Sequence, residues 1–158
     1  MNYLGIDPGL SGAVALIHED GSAAVMDAPT IWVTKGKGRR RQYILQELFR
    51  LLGIFAEGGA VAALEEGIAM PRQSSTSTFS TGYGQGIYEM ALVALRIPYE
   101  RVRPQAWKKV MIAGAGVKDK KAAYLQAQRL FPDIELGSRS DHGRAEALLI
   151  AEFRRRMG

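Results

Sequence analysis

One short apolar run constrains the fold of this chain more than any other stretch. Residues 58–67 read GGAVAALEEG, an apolar segment bounded by glycines. Such a segment is typical of a strand buried in the centre of a sheet, covered on both faces. The run ends abruptly in Glu65 and Glu66, and acids at the exit of a buried strand suggest a functional site at that point.

Strand and helix patterns alternate along the rest of the sequence. The opening residues predict two strands joined by a turn at residues 19–21, with Pro8 and Gly9 breaking the first segment just after Asp7. A polar, basic stretch at residues 34–41 is interpreted as a mobile loop. Further segments predict helices at 42–56, 84–95, 120–130 and from about 141, and a strand within 97–104. The order predicts a single α/β domain with a mixed sheet over residues 1–158.

Basic residues are concentrated in a few places. Lysine and arginine total 21 against 16 acidic residues, a formal charge of +5. Much of the excess lies in clusters at residues 35–41, 107–109, 118–121 and 154–157. A single cluster would be read as solvated surface, but four in so short a chain favour a polyanionic partner, such as nucleic acid.

The absence of cysteine limits the kind of metal that the chain could bind. With no cysteine in the sequence, a metal must be held by oxygen or imidazole, which favours hard cations such as magnesium or manganese. The sequence has no apolar run near the roughly 18 residues of a membrane span, and its start lacks a signal-peptide pattern. We therefore expect an intracellular protein without a membrane partner.

Three carboxylates are expected to meet at one edge of the sheet. Asp7 and Glu65 each follow a predicted strand, and Glu146 lies near the start of the last helix. The ends of strands open onto the ligand-binding crevice in α/β folds. Carboxylates brought this close repel one another unless a proton or a metal neutralises them. The pattern predicts metal-assisted phosphodiester hydrolysis with two ions about 4 Å apart.

The last helix offers two further candidate ligands. His142 lies four residues before Glu146, on the same helical face, and that face continues into apolar residues. Asp141 points away from Glu146 on an ideal helix and is equally open to a role as the helix N-cap. We therefore predict His142, rather than Asp141, beside Glu146, and retain both as candidate metal ligands.

Four motifs in order resemble the RuvC-type Holliday junction resolvases of the RNase H-like (retroviral integrase) superfamily, in detail closest to phage and organellar members. They are YLGIDPGLSGAVAL (3–16), ALEEGIAMP (63–71), RPQAWKKVMIAGAGVKDKKAAYLQAQRLFP (103–132) and DHGRAEALLIAEF (141–153). The resemblance covers nearly the whole chain. It implies an RNase H-like α/β fold with a mixed five-stranded sheet flanked by helices.

The resemblance assigns roles to individual residues. Asp7, Glu65 and Glu146 correspond to metal-binding carboxylates, with His142 as the fourth catalytic ligand in place of the acid that cellular members carry at the position of Gly143. Ile68 stands where cellular members have an aromatic wedge, which leaves Phe79 or Tyr83 for that role. Candidate DNA-binding residues, from the basic clusters and from the family's lysines, are Lys37, Arg39, Arg40, Lys108, Lys109, Lys118, Lys120 and Lys121.

The implied function is a magnesium-dependent endonuclease, with manganese as a substitute, that cuts four-way DNA junctions as a homodimer. Its products would carry a 5′ phosphate and a 3′ hydroxyl. A cytoplasmic location is expected, that of the host cell if the chain is phage-encoded, and an organelle is a further option. The alternatives are an RNase H-like nuclease for forks, flaps or RNA-containing duplexes, and a junction-binding module without catalysis. An actin-like ATPase would need two lobes, for which the chain is too short.

Overall fold

A mixed five-stranded sheet flanked by helices forms the centre of the protein, as the sequence predicts. The computed structural model describes residues 1–114, 120–138 and 142–158. The strands are β1 (Asn2–Asp7), β2 (Ala13–Ile17), β3 (Ala23–Asp27), β4 (Thr30–Lys35), β5 (Gly38–Tyr43), β6 (Ala60–Glu65) and β7 (Tyr99–Val102). The helices are α1 (Leu45–Phe55), α2 (Ser75–Ala94), α3 (Pro104–Met111), α4 (Lys120–Leu130) and α5 (Gly143–Met157). The main sheet has the order β3-β2-β1-β6-β7.

The direction of the strands changes at the central strand β1. This strand pairs antiparallel with β2 and parallel with β6. Beyond them, β3 is antiparallel to β2 and β7 is parallel to β6. The carboxyl ends of β1 and β6 therefore lie side by side at one edge of the sheet.

Alternation of side chains divides the core into two layers. On β2, Ala13, Ala15 and Ile17 pack with α3, α4 and α5, whereas Val14 and Leu16 pack with α1 and α2. Both faces of the strand are buried, because each is covered by helices. The same alternation decides which side chains of β1, β2, β3 and β6 face α5.

Helix α5 lies directly on the central strand. A Cβ atom at Gly5 would stand 2.1 Å from the carbonyl oxygen of Ala147 and 2.2 Å from the backbone nitrogen of Ala151, so only glycine allows this approach. Leu149 and Ile150 of this helix are completely buried. No helix in the described part of the chain is both long enough and apolar enough to cross a bilayer.

The basic stretch interpreted as a mobile loop is a β-ribbon, so that prediction is wrong. β4 and β5 pair antiparallel from Thr30 opposite Tyr43 to Lys35 opposite Gly38, as a sheet of their own. Most ribbon side chains outside its base are exposed. Because no core lies beneath them, the strands lack the alternation of apolar and polar residues that marks a half-buried strand in a sequence.

Helix α3 was not among the predicted helices. Several other elements were predicted correctly in type but not in extent. The break at Pro8 separates β1 from β2, so the opening contains three strands rather than two. Helix α1 begins at Leu45 rather than Gln42. Helix α2 begins at Ser75, nine residues before the predicted start, because the Ser74 side chain caps it.

Candidate active site

Asp7 and Glu65 stand at the ends of neighbouring parallel strands. Ile6 is in register with Leu64, so the two acids follow one residue later on adjacent strands. By alternation they share the face of Gly5, the face that α5 covers. The Gly9 backbone N–H donates to Oδ1 of Asp7 at 3.2 Å, which holds this carboxylate at the turn after β1.

Glu146 approaches the same place from α5. The first turn of this helix is fixed by Arg144, which donates two hydrogen bonds to Asp27 at 2.7 and 2.9 Å. It is also fixed by Gly143, where a Cβ would stand 2.3 Å from the Ser11 carbonyl oxygen. These contacts place Glu146, one turn into the helix, beside the ends of β1 and β6.

Helix α3 provides a partner for two of the three carboxylates. The indole nitrogen of Trp107, a completely buried residue, donates to Oε2 of Glu65 at 2.6 Å. Nζ of Lys108 pairs with Oε1 of Glu146 at 3.1 Å, with both side chains 13% exposed. The same ammonium lies 5.0 Å from the centre of the Trp107 ring. Trp107 was not among the predicted site residues, because its only signal in the sequence is an aromatic residue beside two lysines.

Burial and mutual repulsion raise the pKa of two of the acids. Burial, and then the charge of Glu146, raise the pKa of Asp7 from 3.8 to about 6, against the Gly9 hydrogen bond and the charges of Lys108 and Lys120. Burial, followed by Asp7 and Glu146, raises the pKa of Glu65 from 4.5 to about 7. The three carboxylates therefore share one poorly solvated electrostatic site.

The donor chemistry of this site fits a hard divalent cation. Three carboxylates repel one another in a medium of low dielectric, and a metal bound to their oxygens would relieve that repulsion. As the side chains stand, however, no three acidic or imidazole groups in the described ranges could hold a metal ion together. The Lys108 ammonium supplies the positive charge at Glu146, and the Trp107 N–H occupies one oxygen of Glu65.

The candidates for a fourth ligand lie at the start of α5. His142 is the N-cap residue, and its side chain makes no capping hydrogen bond. Its Nδ1 atom is buried without a hydrogen-bond partner among the described residues. Asp141 lies outside the described residues. At Gly143, the position where cellular resolvases carry an acid, the contact with the Ser11 carbonyl leaves no room for a side chain.

A cavity of about 540 Å³ opens beside the carboxylates. Asp7 and Glu65 line it, together with Ile68 and Met70 of the loop after β6. Farther along, the rings of Phe79 and Tyr83 stack on α2 with centroids 6.2 Å apart. Phe79 is 75% exposed and Tyr83 45%, so both rings named in the sequence analysis are accessible.

The predicted DNA-binding residues occupy different surroundings. All but two of them are exposed: Lys37, Arg39 and Arg40 on the ribbon, Lys109 on α3, and Lys120 and Lys121 at the start of α4. Lys120 is close enough to Asp7 to lower its pKa. Lys108 lies inside the carboxylate cluster, and Lys118 lies outside the described residues.

Comparisons with known proteins identify the fold. No protein-family model matches the chain, and no curated protein does so. The chain is similar to a solved structure of Thermus thermophilus RuvC, with a TM-score of 0.59 and 21% identity over 100% of this chain and 97% of that one. It is also similar to T. thermophilus RuvC in complex with Holliday junction substrate, with a TM-score of 0.58 and 19% identity over 100% of this chain and 96% of that one. These similarities confirm the predicted RNase H-like fold of the RuvC type.

The raised pKa values predict how stability depends on pH in the metal-free protein. Between about pH 4 and pH 7, the folded state binds protons at Asp7 and Glu65 that the unfolded chain has released, so stability falls as pH rises through this range. Asp7→Asn removes one charge and keeps the acceptor for Gly9. At about pH 8 it should raise the free energy of unfolding by about 2 to 3 kcal/mol, and at about pH 3.5 by almost nothing.

Denaturant unfolding with chelator at both pH values measures this difference. Glu57→Gln, which neutralises an exposed carboxylate, is the control and should leave stability nearly unchanged at both. An Asp7→Asn variant no more stable than the wild type at the higher pH would contradict the electrostatic description of the site.

Proposed function

We propose that the chain is a RuvC-type Holliday junction resolvase, a single nuclease domain over residues 1–158 that cuts four-way DNA junctions. The observation that carries the proposal is the convergence of Asp7, Glu65 and Glu146 from two strand ends and a helix, in a site where burial and repulsion raise the pKa of two of them. The RuvC-type fold supports this proposal. In α/β sheets ligands bind at the carboxyl ends of the strands, and two of the three carboxylates lie there.

The three carboxylates are proposed to bind magnesium, or manganese in its place. The bound ions supply the charge that activates a water and stabilises the leaving oxygen in two-ion phosphodiester hydrolysis. His142 is proposed as the fourth ligand because its buried Nδ1 lacks a partner among the described residues, with Asp141 as the alternative. Lys108 pairs with Glu146 at 3.1 Å; if Glu146 held a cation, the ammonium would be available to contact a phosphate. Cleavage of the bond to the 3′ oxygen leaves a 5′ phosphate and a 3′ hydroxyl.

Branched DNA is the proposed partner. One structure similar to this chain is described as a complex with Holliday junction substrate. The exposed cations on the ribbon, on α3 and at the start of α4 supply charges for phosphates, and Lys120 lies near Asp7. The proposed place of action is the cytoplasm, that of the host cell for a phage-encoded chain, or an organelle. Nucleases for other branched DNA and a non-catalytic binding module are the alternatives that the experiment below separates.

An apolar surface on α1 and α2 is proposed as the interface of a homodimer. Leu45 and Phe49 of α1, and Met90 and Val93 of α2, are all exposed, and Met90 is 63% exposed. A groove of about 240 Å³ lies between the two helices and is lined by apolar side chains. A second copy that covers this surface would remove these side chains from water. Two copies would also offer two active sites to the two strands of a symmetric junction.

Cleavage assays on synthetic DNA test the proposed activity. With magnesium, the wild type should cut a four-way junction and leave linear duplex and flap DNA largely intact, and chelator should stop cleavage. Asp7→Asn, Glu65→Gln and Glu146→Gln should each reduce the rate more than about a hundredfold, because even the outer partners of a metal site are worth ten- to hundredfold. Junction binding, measured by fluorescence anisotropy, should be nearly unchanged.

Glu66→Gln is the matched control. Glu66 is adjacent to Glu65 but pairs with Arg103 at 3.3 Å. Removing the charge of Glu66 should therefore leave the cleavage rate close to that of the wild type. Preferred cutting of flaps would favour the alternative nuclease. Junction binding with no cleavage under any metal condition would favour the binding module.

The oligomeric state tests the proposed interface. Met90→Glu places a charge at the centre of the apolar surface, where burial without a partner is unfavourable. Sedimentation analysis should show a dimeric wild type and a Met90→Glu variant whose dissociation constant is raised at least about tenfold, equivalent to about 1.4 kcal/mol. Met26→Glu changes an exposed methionine on β3 and should leave the dimer intact. A Met90→Glu variant that remains as dimeric as the wild type would exclude this interface.

A further inference from the structure

An exposed tryptophan lies beside two arginines on the β4–β5 ribbon. Trp32 is directly opposite Arg41 in the ribbon register. The guanidinium carbons of Arg39 and Arg41 lie 5.7 and 5.8 Å from the centre of its ring. By strand alternation these three side chains share one face, which we call the Trp32 face. Trp32 is 56% exposed.

The position of Trp32 is not explained by packing. In the described part of the chain, Trp32 belongs to neither of the two apolar core clusters. The neighbouring cations stabilise the ring in its exposed position through cation–π contacts, while more than half of the residue stays open to water. A flat aromatic surface that is largely open to water and has positive charge beside it is suited to stacking against a planar, phosphate-linked partner.

The Trp32 face is fixed to the loop that follows the first active-site acid. Arg41 donates from Nη1 to Oγ of Ser11 at 3.0 Å and from Nη2 to Oγ1 of Thr30 at 2.8 Å. At the base of the ribbon, the Tyr43 hydroxyl donates to the Pro8 carbonyl oxygen at 2.6 Å. The ribbon is therefore anchored at Pro8 and Ser11 to the turn that follows β1, the strand that ends in Asp7.

The charge of the ribbon identifies the partner. Between residues 30 and 43 the sequence contains no acidic residue. Five cations lie in this stretch: Lys35, Lys37, Arg39, Arg40 and Arg41. Phosphates complement this density of positive charge, and nucleobases complement the exposed indole.

We propose that the Trp32 face binds DNA by stacking the indole of Trp32 on an unpaired base, while Arg39 and Arg41 contact the flanking phosphates. This rests on the proposed function in so far as the DNA is a junction, where bases next to the branch point can be unpaired. It adds a specific contact: the stacking residue is on the ribbon, outside the carboxylate cavity. It also predicts that linear duplex, which offers no free base face, gains little from Trp32.

Tryptophan fluorescence provides a direct test in the intact protein. The chain contains two tryptophans, and Trp107 is completely buried. With chelator present, a single-stranded oligonucleotide and a four-way junction should each quench the emission of the wild type. Trp32→Phe leaves Trp107 alone, and the same additions should then cause little change. Equal quenching in both proteins would overturn the proposal.

Affinity provides the second readout. Trp32→Ala should weaken binding of both the oligonucleotide and the junction about tenfold, because loss of one base–aromatic stack has about this effect. Trp32→Phe should retain most of the affinity. Ile31→Ala removes a similarly exposed apolar side chain from the opposite face of the ribbon and should change binding less than about twofold. Thermal melting establishes that all three variants are folded.

The outcomes separate this inference from the proposed function. A wild type that cuts junctions while Trp32→Ala binds as well as Ile31→Ala would overturn the inference and leave the resolvase proposal standing. If Trp32→Ala lost equal affinity for linear duplex and for the junction, the face would contact phosphates alone, and this result would also overturn the stacking proposal. A wild type that prefers no branched DNA would refute the resolvase proposal, whereas quenching of Trp32 by the single strand would still support the Trp32 face.

Discussion

Repulsion among three half-buried carboxylates is the constraint on which the architecture around the site depends. Asp7 and Glu65 share one face of adjacent strands. Glu146 lies near them on helix α5, which packs closely on β1 because Gly5 has no side chain. Such an arrangement is costly without compensation. Trp107 and the ammonium next to it on α3 supply part of that compensation, and protons held near neutral pH supply more. The remaining repulsion is what a divalent cation would relieve.

The sequence predicted those features that depend on local pattern and on strand ends. The run before Glu65 indicated a buried strand, and β6 is an inner strand flanked by parallel neighbours. Asp7 and Glu65 each follow a predicted strand. This was sufficient to expect the two carboxylates to lie together at one edge of the sheet, because the end of a strand fixes where the next side chain lies. The mixed sheet followed from the alternation of strands and helices, and the RuvC-type fold from the resemblance of four motifs; both are confirmed.

Features that depend on long-range contacts could not be predicted. The contact of Trp107 with Glu65 joins residues 42 apart, and no periodicity indicates such a pair. The ribbon escaped detection because its strands bury little, so alternation was absent. Trp32 was also missed, because its proposed role depends on neighbouring arginines. These come close to Trp32 only when β4 and β5 pair. Contacts of this kind exist only once the chain has folded.

Proton release on metal binding tests the central claim most directly. Calorimetric titration with magnesium, in two buffers of different ionisation enthalpy, counts the protons displaced. With pKa values of about 6 for Asp7 and about 7 for Glu65, binding should release about one proton at about pH 6.5 and almost none at about pH 8.5. Asp7→Asn should weaken the binding. Binding without proton release at the lower pH, or equally tight binding by that variant, would contradict a cation site built from these carboxylates.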